Sequence, residues 1–182
     1  LTFLNSGCID ICKNMLLSAQ SVGIDSKDFT IACLDANAYE QMKEYHGAYQ
    51  FADVEFTEYQ NWTFEASSNF RSIVKHKWKI IYENYVKNND LIWVDTDIVF
   101  KKDPRPLLES KYILFQTDLP GSYLCSGFMV FNDSIECQKM VKECSEYDGE
   151  DDQLLVNSIA LGKYRDNINI LDPKYFPNGK VY

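Results

Sequence analysis

Four apolar residues in succession, Leu91-Ile92-Trp93-Val94, run directly into a pair of acids, Asp95 and Asp97. A strand without polar alternation is one buried on both faces, and such strands sit in sheets covered by helices above and below. The acids then fall at the carboxyl end of that strand, the edge where open α/β sheets bind ligands. The remaining sequence meets this demand. Leu1–Leu4, Phe29–Leu34, Lys111–Gln116, Tyr123–Phe131 and Ile168–Leu171 read as further strands. Between the strands, Ile9–Val22, Ala36–Tyr45, Phe70–Tyr85, Ile135–Tyr147 and Asp151–Leu161 read as helices, with Gly23 closing the first. Phe70–Tyr85 is the clearest. Its Phe70, Ile73, Val74, Trp78, Ile81, Tyr82 and Tyr85 share one face, and Ser67 or Ser68 can cap it. Asp53–Thr63 has no clean period and reads as a loop. The alternation predicts an α/β fold, a mostly parallel layered sheet flanked by helices.

No repeat and no Pro/Gly/Ser-rich linker divides the 182 residues, so 1–182 reads as a single domain. Leu1 lies inside an apolar run and Lys180–Tyr182 looks strand-like, as expected of a domain trimmed at both ends. With 18 basic against 27 acidic residues the net charge is −9, which argues against nucleic acid as a partner. The chain holds no apolar run long enough to span a membrane and no charged leader with a cleavage site, so the expected location is cytoplasmic. Six cysteines without a CxxC pair read as buried thiols in a reducing compartment, with a disulfide scaffold as the alternative.

The tripeptide DxD carries no information alone, since 16 Asp in 182 residues give about 1.4 such triplets by chance. Its place after a buried strand does. Residues i and i+2 of an extended chain point the same way, so Asp95 and Asp97 can face one cation. Hard oxygen ligands select Mg²⁺ or Mn²⁺, which in turn hold a diphosphate; a solvated turn is the plainer alternative. Lys77 is the one charge interrupting the apolar side of the Phe70–Tyr85 helix, able to reach a phosphate or merely to snorkel at the helix edge. Gly127, inside Cys125-Ser126-Gly127-Phe128, marks either close approach of a ligand or a bulge. Gly149-Glu150-Asp151-Asp152-Gln153 opens a helix with three acids, as helix dipoles favour in any case. Two His, His46 and His76, without spaced Cys/His pairs leave no zinc pattern. Two sequons, at Asn61 and Asn132, are no more than chance supplies.

The order of these segments resembles the nucleotide-diphospho-sugar transferase group of GT-A fold glycosyltransferases, around glycosyltransferase family 77 and related domains of large DNA viruses, with family 8 more distant. The match runs from Asn5-Ser6-Gly7 and Leu34-Asp35 through Lys77-Trp78, Val94-Asp95-Thr96-Asp97-Ile98-Val99-Phe100 and Asp103-Pro104. It continues through Ser126-Gly127-Phe128, Asp152-Gln153…Asn157 and Leu171-Asp172…Phe176-Pro177-Asn178-Gly179. The resemblance implies a GT-A fold, a Rossmann-like mostly parallel central sheet with a small antiparallel portion after the DxD. It implies Asp95 and Asp97 as metal ligands for Mn²⁺ or Mg²⁺, with Asp95 shared with the donor's ribose. Asn5, Lys77, Asp95, Thr96, Ser126 and Gly127 are then donor-binding residues, and Asp152 and Gln153 catalytic ones. The implied partners are a UDP- or GDP-sugar donor and a glycan or glycoprotein acceptor. Cys125 and Cys8 depart from the family's usual Asn and aromatic, and both His lie upstream of the C-terminal position where many members carry a third metal ligand.

Two other readings compete. Asp95-Thr96-Asp97-Ile98-Val99 fits the motif of haloacid-dehalogenase-type phosphatases, with Asp95 as nucleophile and Asp97 as acid/base, although half the chain precedes it. A catalytically silent sugar-binding module would keep the fold and explain the Cys8 and Cys125 departures.

Overall fold

The structure, a computed structural model, describes residues 1–51, 76–119, 123–147 and 151–177. The loop expected over Asp53–Thr63, the first turns of the Phe70–Tyr85 helix with Ser67 and Ser68, the Asn61 sequon, Gly149-Glu150, Asn178-Gly179 and Lys180–Tyr182 lie outside the described residues. The chain divides into two compact units, Leu1–Asn69 with Val94–Leu107, and Phe70–Trp93 with Leu108–Tyr182.

The first unit is built on three short parallel strands, β1 (Thr2–Leu4), β2 (Ile31–Cys33) and β3 (Ala48–Gln50), in that order across the sheet. Every residue of β2 is buried, as befits a central strand covered on both faces. β3 has no continuous apolar run, and the sequence did not mark it. Helix α1 (Ile9–Ser21) turns Ile9, Cys12, Met15, Leu16 and Ala19 to the core, one helical stripe. It stops in a Schellman motif: Ile24 N–H donates to Ala19 O at 3.0 Å and Gly23 N–H to Gln20 O at 3.1 Å. Gly23 adopts φ 87°, the left-handed conformation that a side chain would resist. Helix α2 (Ala36–Met42) is capped by the Asp35 carboxylate, which accepts from Ala38 N–H at 2.8 Å. Gly47 passes so close to Phe29 that a Cβ there would lie 2.0 Å from the Phe29 carbonyl oxygen.

The second unit begins with α3 (Lys77–Asn88), which buries Lys77, Trp78, Ile80, Ile81, Asn84 and Tyr85 and ends three residues beyond the expected Tyr85. Asn89, left-handed at φ 60°, closes it with its N–H on Tyr85 O. β4 (Leu91–Val94), β5 (Ile113–Leu119), β6 (Tyr123–Phe131) and β7 (Ile168–Ile170) form a sheet in the order β4-β6-β5-β7. β5 runs parallel to β7 and antiparallel to β6, which is the expected antiparallel portion after the DxD. β5 starts two residues later than the expected Lys111 because Ser110 Oγ accepts from Tyr112 N–H and turns the chain there. Helices α4 (Ile135–Ser145) and α5 (Asp152–Lys163) follow; α3 packs on α4, α4 on α5, and α5 on β6. Phe131 anchors the core, meeting Trp78, Tyr85 and Phe115 edge-on at centroid distances of 6.0, 6.5 and 6.4 Å.

No disulfide joins the six cysteines, all of them among the described residues: Cys12, Cys33, Cys137 and Cys144 are buried, Cys8 and Cys125 half-buried. Burial pushes the Cys12, Cys33 and Cys137 thiols up to about 12, so they behave as small hydrophobes. Among the described residues no helix is long and apolar enough to cross a membrane.

Candidate functional site

In the second unit the first residue of α5, Asp152, meets the first residue of α3. Lys77 Nζ lies 2.6 Å from Asp152 Oδ2, and the two side chains are 3% and 11% exposed. Taking both charges out of water is costly unless further hydrogen bonds complete the pair. Ser126 supplies them. Its hydroxyl donates to Asp152 Oδ2 at 2.7 Å, while its Oγ and carbonyl oxygen accept from the Lys77 ammonium at 3.3 and 3.4 Å. The indole of Trp93 adds an aromatic face, with Lys77 Nζ 5.5 Å from the ring centroid. Burial pushes the Asp152 carboxyl up, but the charge and hydrogen bond of Lys77, the Ser126 hydroxyl and its own backbone N–H outweigh this and hold it below the usual carboxylate range. Asp152 is therefore a largely buried carboxylate that is ionised at neutral pH.

Its neighbour Asp151 does something else. That side chain caps α5, accepting from Leu154 N–H at 2.8 Å, and is exposed. Two adjacent acids of one cluster are thus separated into a cap and a buried ion-pair member, and Glu150 lies outside the described residues.

Two irregularities of the β5–β6 ribbon present the other groups. β5 passes directly from Phe115 to Gln116, whereas their β6 partners are Met129 and Cys125. Ser126, Gly127 and Phe128 therefore form a bulge, which re-aims Ser126 at Lys77 and Asp152. Phe128, from the same bulge, packs on Phe176 at 5.4 Å, and Gln116 Nε2 anchors that segment by donating to Phe176 O at 3.3 Å and Pro177 O at 2.8 Å. The second irregularity lies on β5, where Asp118 falls between Thr117, paired with Leu124, and Leu119, paired with Tyr123. Asp118 Oδ2 accepts from Gln153 Nε2 at 3.0 Å. Sequence reasoning assigned Asp118 no role, because a bulge depends on a partner strand that its own sequence does not reveal.

In the first unit the DxD is a tight turn and not an extended segment: Ile98 N–H donates back to Asp95 O at 3.2 Å across Thr96 and Asp97. The expectation that period-2 geometry aligns the two carboxylates is corrected accordingly. Asp95 and Thr96 are half-buried and Asp97 is exposed. The turn is pinned on both sides, by Val94 N–H on Leu1 O at 3.0 Å and by Phe100 N–H on Ser18 Oγ at 3.0 Å. Phe100 also meets Phe29 edge-on at 6.2 Å.

At the end of β1, Asn5 is buried and its Oδ1 has no hydrogen-bond partner among the described residues. The next residue is held by Asp35, which accepts from Ser6 N–H at 2.8 Å and from the Ser6 hydroxyl. Burial raises the Cys8 thiol to about 11, partly offset by its Asn5 backbone hydrogen bond, and the charges of Asp97 and Asp35 push it further up. Asp35, Cys8 and Asp97 thus share one acidic edge. Among the described residues no three His, Cys, Asp or Glu side chains are gathered as a metal cage.

Residues 26–182 match the family model described as nucleotide-diphospho-sugar transferase. The chain is 21% identical over 233 aligned positions to the UDP-galactose:fucoside alpha-3-galactosyltransferase of Dictyostelium discoideum, covering 98% of this chain and 36% of that protein. It therefore spans about a third of the length of that curated relative. Among solved structures it resembles the glycosyltransferase GlyE of Streptococcus pneumoniae TIGR4, with TM-score 0.52, 14% identity and coverage of 96% of this chain and 45% of that one. It also resembles the galactosyltransferase LgtC in complex with donor and acceptor sugar analogs, with TM-score 0.56, 13% identity and coverage of 95% and 73%. Likeness at such identities establishes the fold, which is the expected GT-A fold.

Proposed function

The chain belongs to the nucleotide-diphospho-sugar transferase family, and from that premise we propose that it is a metal-dependent glycosyltransferase, moving a sugar from a UDP- or GDP-sugar to a glycan or glycoprotein acceptor. The two units are taken together as one glycosyltransferase domain over 1–182. The observation that carries the reading is the buried Lys77–Ser126–Asp152 cluster, a water-poor carboxylate held ionised. The substrate named for the Dictyostelium relative, UDP-galactose, supports a UDP-sugar donor. Family membership removes the phosphatase alternative; the silent sugar-binding module remains as an outcome of the test.

The donor set at the turn suits Mn²⁺ or Mg²⁺. Asp95 and Asp97 are hard oxygen ligands, and such ions are commonly held by one or two carboxylates completed by water and substrate phosphates, without an all-protein cage. When bound, the ion supplies charge neutralisation to the departing nucleoside diphosphate. Asn5, whose Oδ1 is buried and has no partner among the described residues, offers an acceptor to the nucleoside, and the cost of leaving that atom unpaired is recovered when a donor group meets it.

We assign Asp152 to the reacting sugar. Positive charge develops on the ring in the transition state, and a preorganised carboxylate in a dry site stabilises it strongly. In an inverting reaction the same ionised group would accept the proton of the acceptor hydroxyl. Lys77, expected at the diphosphate, has its ammonium on Asp152; a phosphate would have to compete with that carboxylate for it. Gln153, tied to Asp118, and Ser126 with Gly127 on the bulge flank the same carboxylate and are proposed to orient the sugar. Screening nucleotide sugars for Mn²⁺-dependent hydrolysis and thermal stabilisation tests the reading: one donor should be hydrolysed and should raise the melting temperature with metal present. Stabilisation without turnover would identify the silent module, and neither effect with any donor would sink both.

A further inference from the structure

Asn157 lies on α5 just over a turn beyond Asp152 and is 9% exposed. Its Oδ1 accepts from Leu124 N–H at 2.8 Å, and its Nδ2 donates to Leu124 O and to Gln153 O, both at 2.8 Å. One acceptor and both amide donors are thereby used, and a helix side chain does for Leu124 what a neighbouring strand normally does. Leu124 is fully buried, so neither of its backbone groups could turn to water instead.

The position of this clamp gives it meaning. Just beyond Leu124, after Cys125, β6 leaves its ladder with β5 for the three bulge residues Ser126, Gly127 and Phe128. A bulge is unpaired on that side, so its ends must hold it. Apolar packing of Leu155 and Val156 keeps α5 on the sheet but is non-directional and does not set register along a strand. The Asn157 amide is directional. We propose that Asn157 is a positioning residue: by locking Leu124 to the helix that carries Asp152, it holds the bulge so that Ser126 meets Asp152 at 2.7 Å. Its catalytic consequence rests on the glycosyltransferase reading; the geometric claim does not.

The test uses Asn157→Asp, which keeps shape and acceptor but loses both donors, and Asn157→Ala, which removes the clamp. In each, the Asp152 carboxyl is titrated by ¹³C NMR, assigned by its loss in Asp152→Asn, beside kcat and KM for hydrolysis of the UDP-sugar. A folded variant should show Asp152 titrating at higher pH than in the native chain, and kcat should fall on the order of tenfold or more with donor KM nearly unchanged. A variant that melts cooperatively with Asp152 titrating as in the native chain would overturn the proposal, whatever its melting temperature. Failure of both variants to fold would overturn it too, making Asn157 a determinant of the fold. If the native chain hydrolyses no donor, the glycosyltransferase reading fails while the titration still decides the positioning role.

Discussion

Lys77 and Asp152 form a buried ion pair at 2.6 Å that joins the first turn of one helix to the first turn of another. Removing one partner of such a pair leaves the other buried and uncompensated, a change that typically costs about 3 kcal/mol or more.

Lys77→Met keeps the stem and removes the charge, and is expected to lower stability at neutral pH by roughly that amount. The acid dependence of stability should also weaken. In the native chain the Asp152 carboxyl is held low, so its contribution is present above the ordinary carboxylate value and is lost as pH falls through the lowered value. In the variant burial, which raises the carboxyl, is opposed only by the Ser126 hydroxyl and the backbone N–H, so the carboxyl should titrate higher than in the native chain and less stability should be lost in acid. Urea melts across the acid range measure this directly; a variant whose stability follows pH as the native chain does would refute the pairing.

Asp152→Asn removes the negative charge with almost no change in volume. Turnover of the donor should drop by about two orders of magnitude or more, with donor affinity within a few-fold. Asp151→Asn is the matched control, because Asn caps a helix as well as Asp does. It should stay active and folded. Equal activity in the two variants would take Asp152 out of the chemistry.

The local parts of this molecule were legible in its sequence. The α1 stripe from Ile9 to Ala19 follows from periodicity, and Gly23 marked the helix end correctly; β4 forms where the apolar run stands, but only Trp93 and Val94 are buried while Leu91 and Ile92 are half-buried. Lys77 also stood out, as a charge on an apolar face, but its partner could not be read because the contact joins segments far apart in the chain. The bulge at Ser126–Phe128 was legible only as one of two readings of Gly127, and the one at Asp118 not at all, for the same reason: each is defined by the register of the opposite strand. The DxD was found by its position and misjudged in conformation, since a strand's period was extended one turn too far.

Asp35→Ala should weaken the first unit in two ways. It removes the α2 cap, worth about 1 kcal/mol, and frees Ser6, whose N–H and hydroxyl both donate to that carboxylate. Asp35→Asn keeps an acceptor for the cap and should retain most of the stability. Chemical denaturation of the pair checks this, with equal loss in both variants counting against the cap.

Asp97 is exposed in the DxD turn, so its charge is not needed to hold the fold. Asp97→Asn should therefore melt within about 0.5 kcal/mol of the native chain in metal-free buffer, as surface substitutions do. In the presence of Mn²⁺ the two should part. Native protein is expected to gain stability from Mn²⁺ with a UDP-sugar as the logarithm of ligand concentration above Kd, as any ligand bound only to the folded state produces. The variant, with one hard oxygen ligand neutralised, should gain little or none. Calorimetric titration of nucleoside diphosphate with and without Mn²⁺ gives the second readout. If the variant keeps the metal-dependent part of that affinity, Asp97 is a solvated turn residue and the cation is held elsewhere.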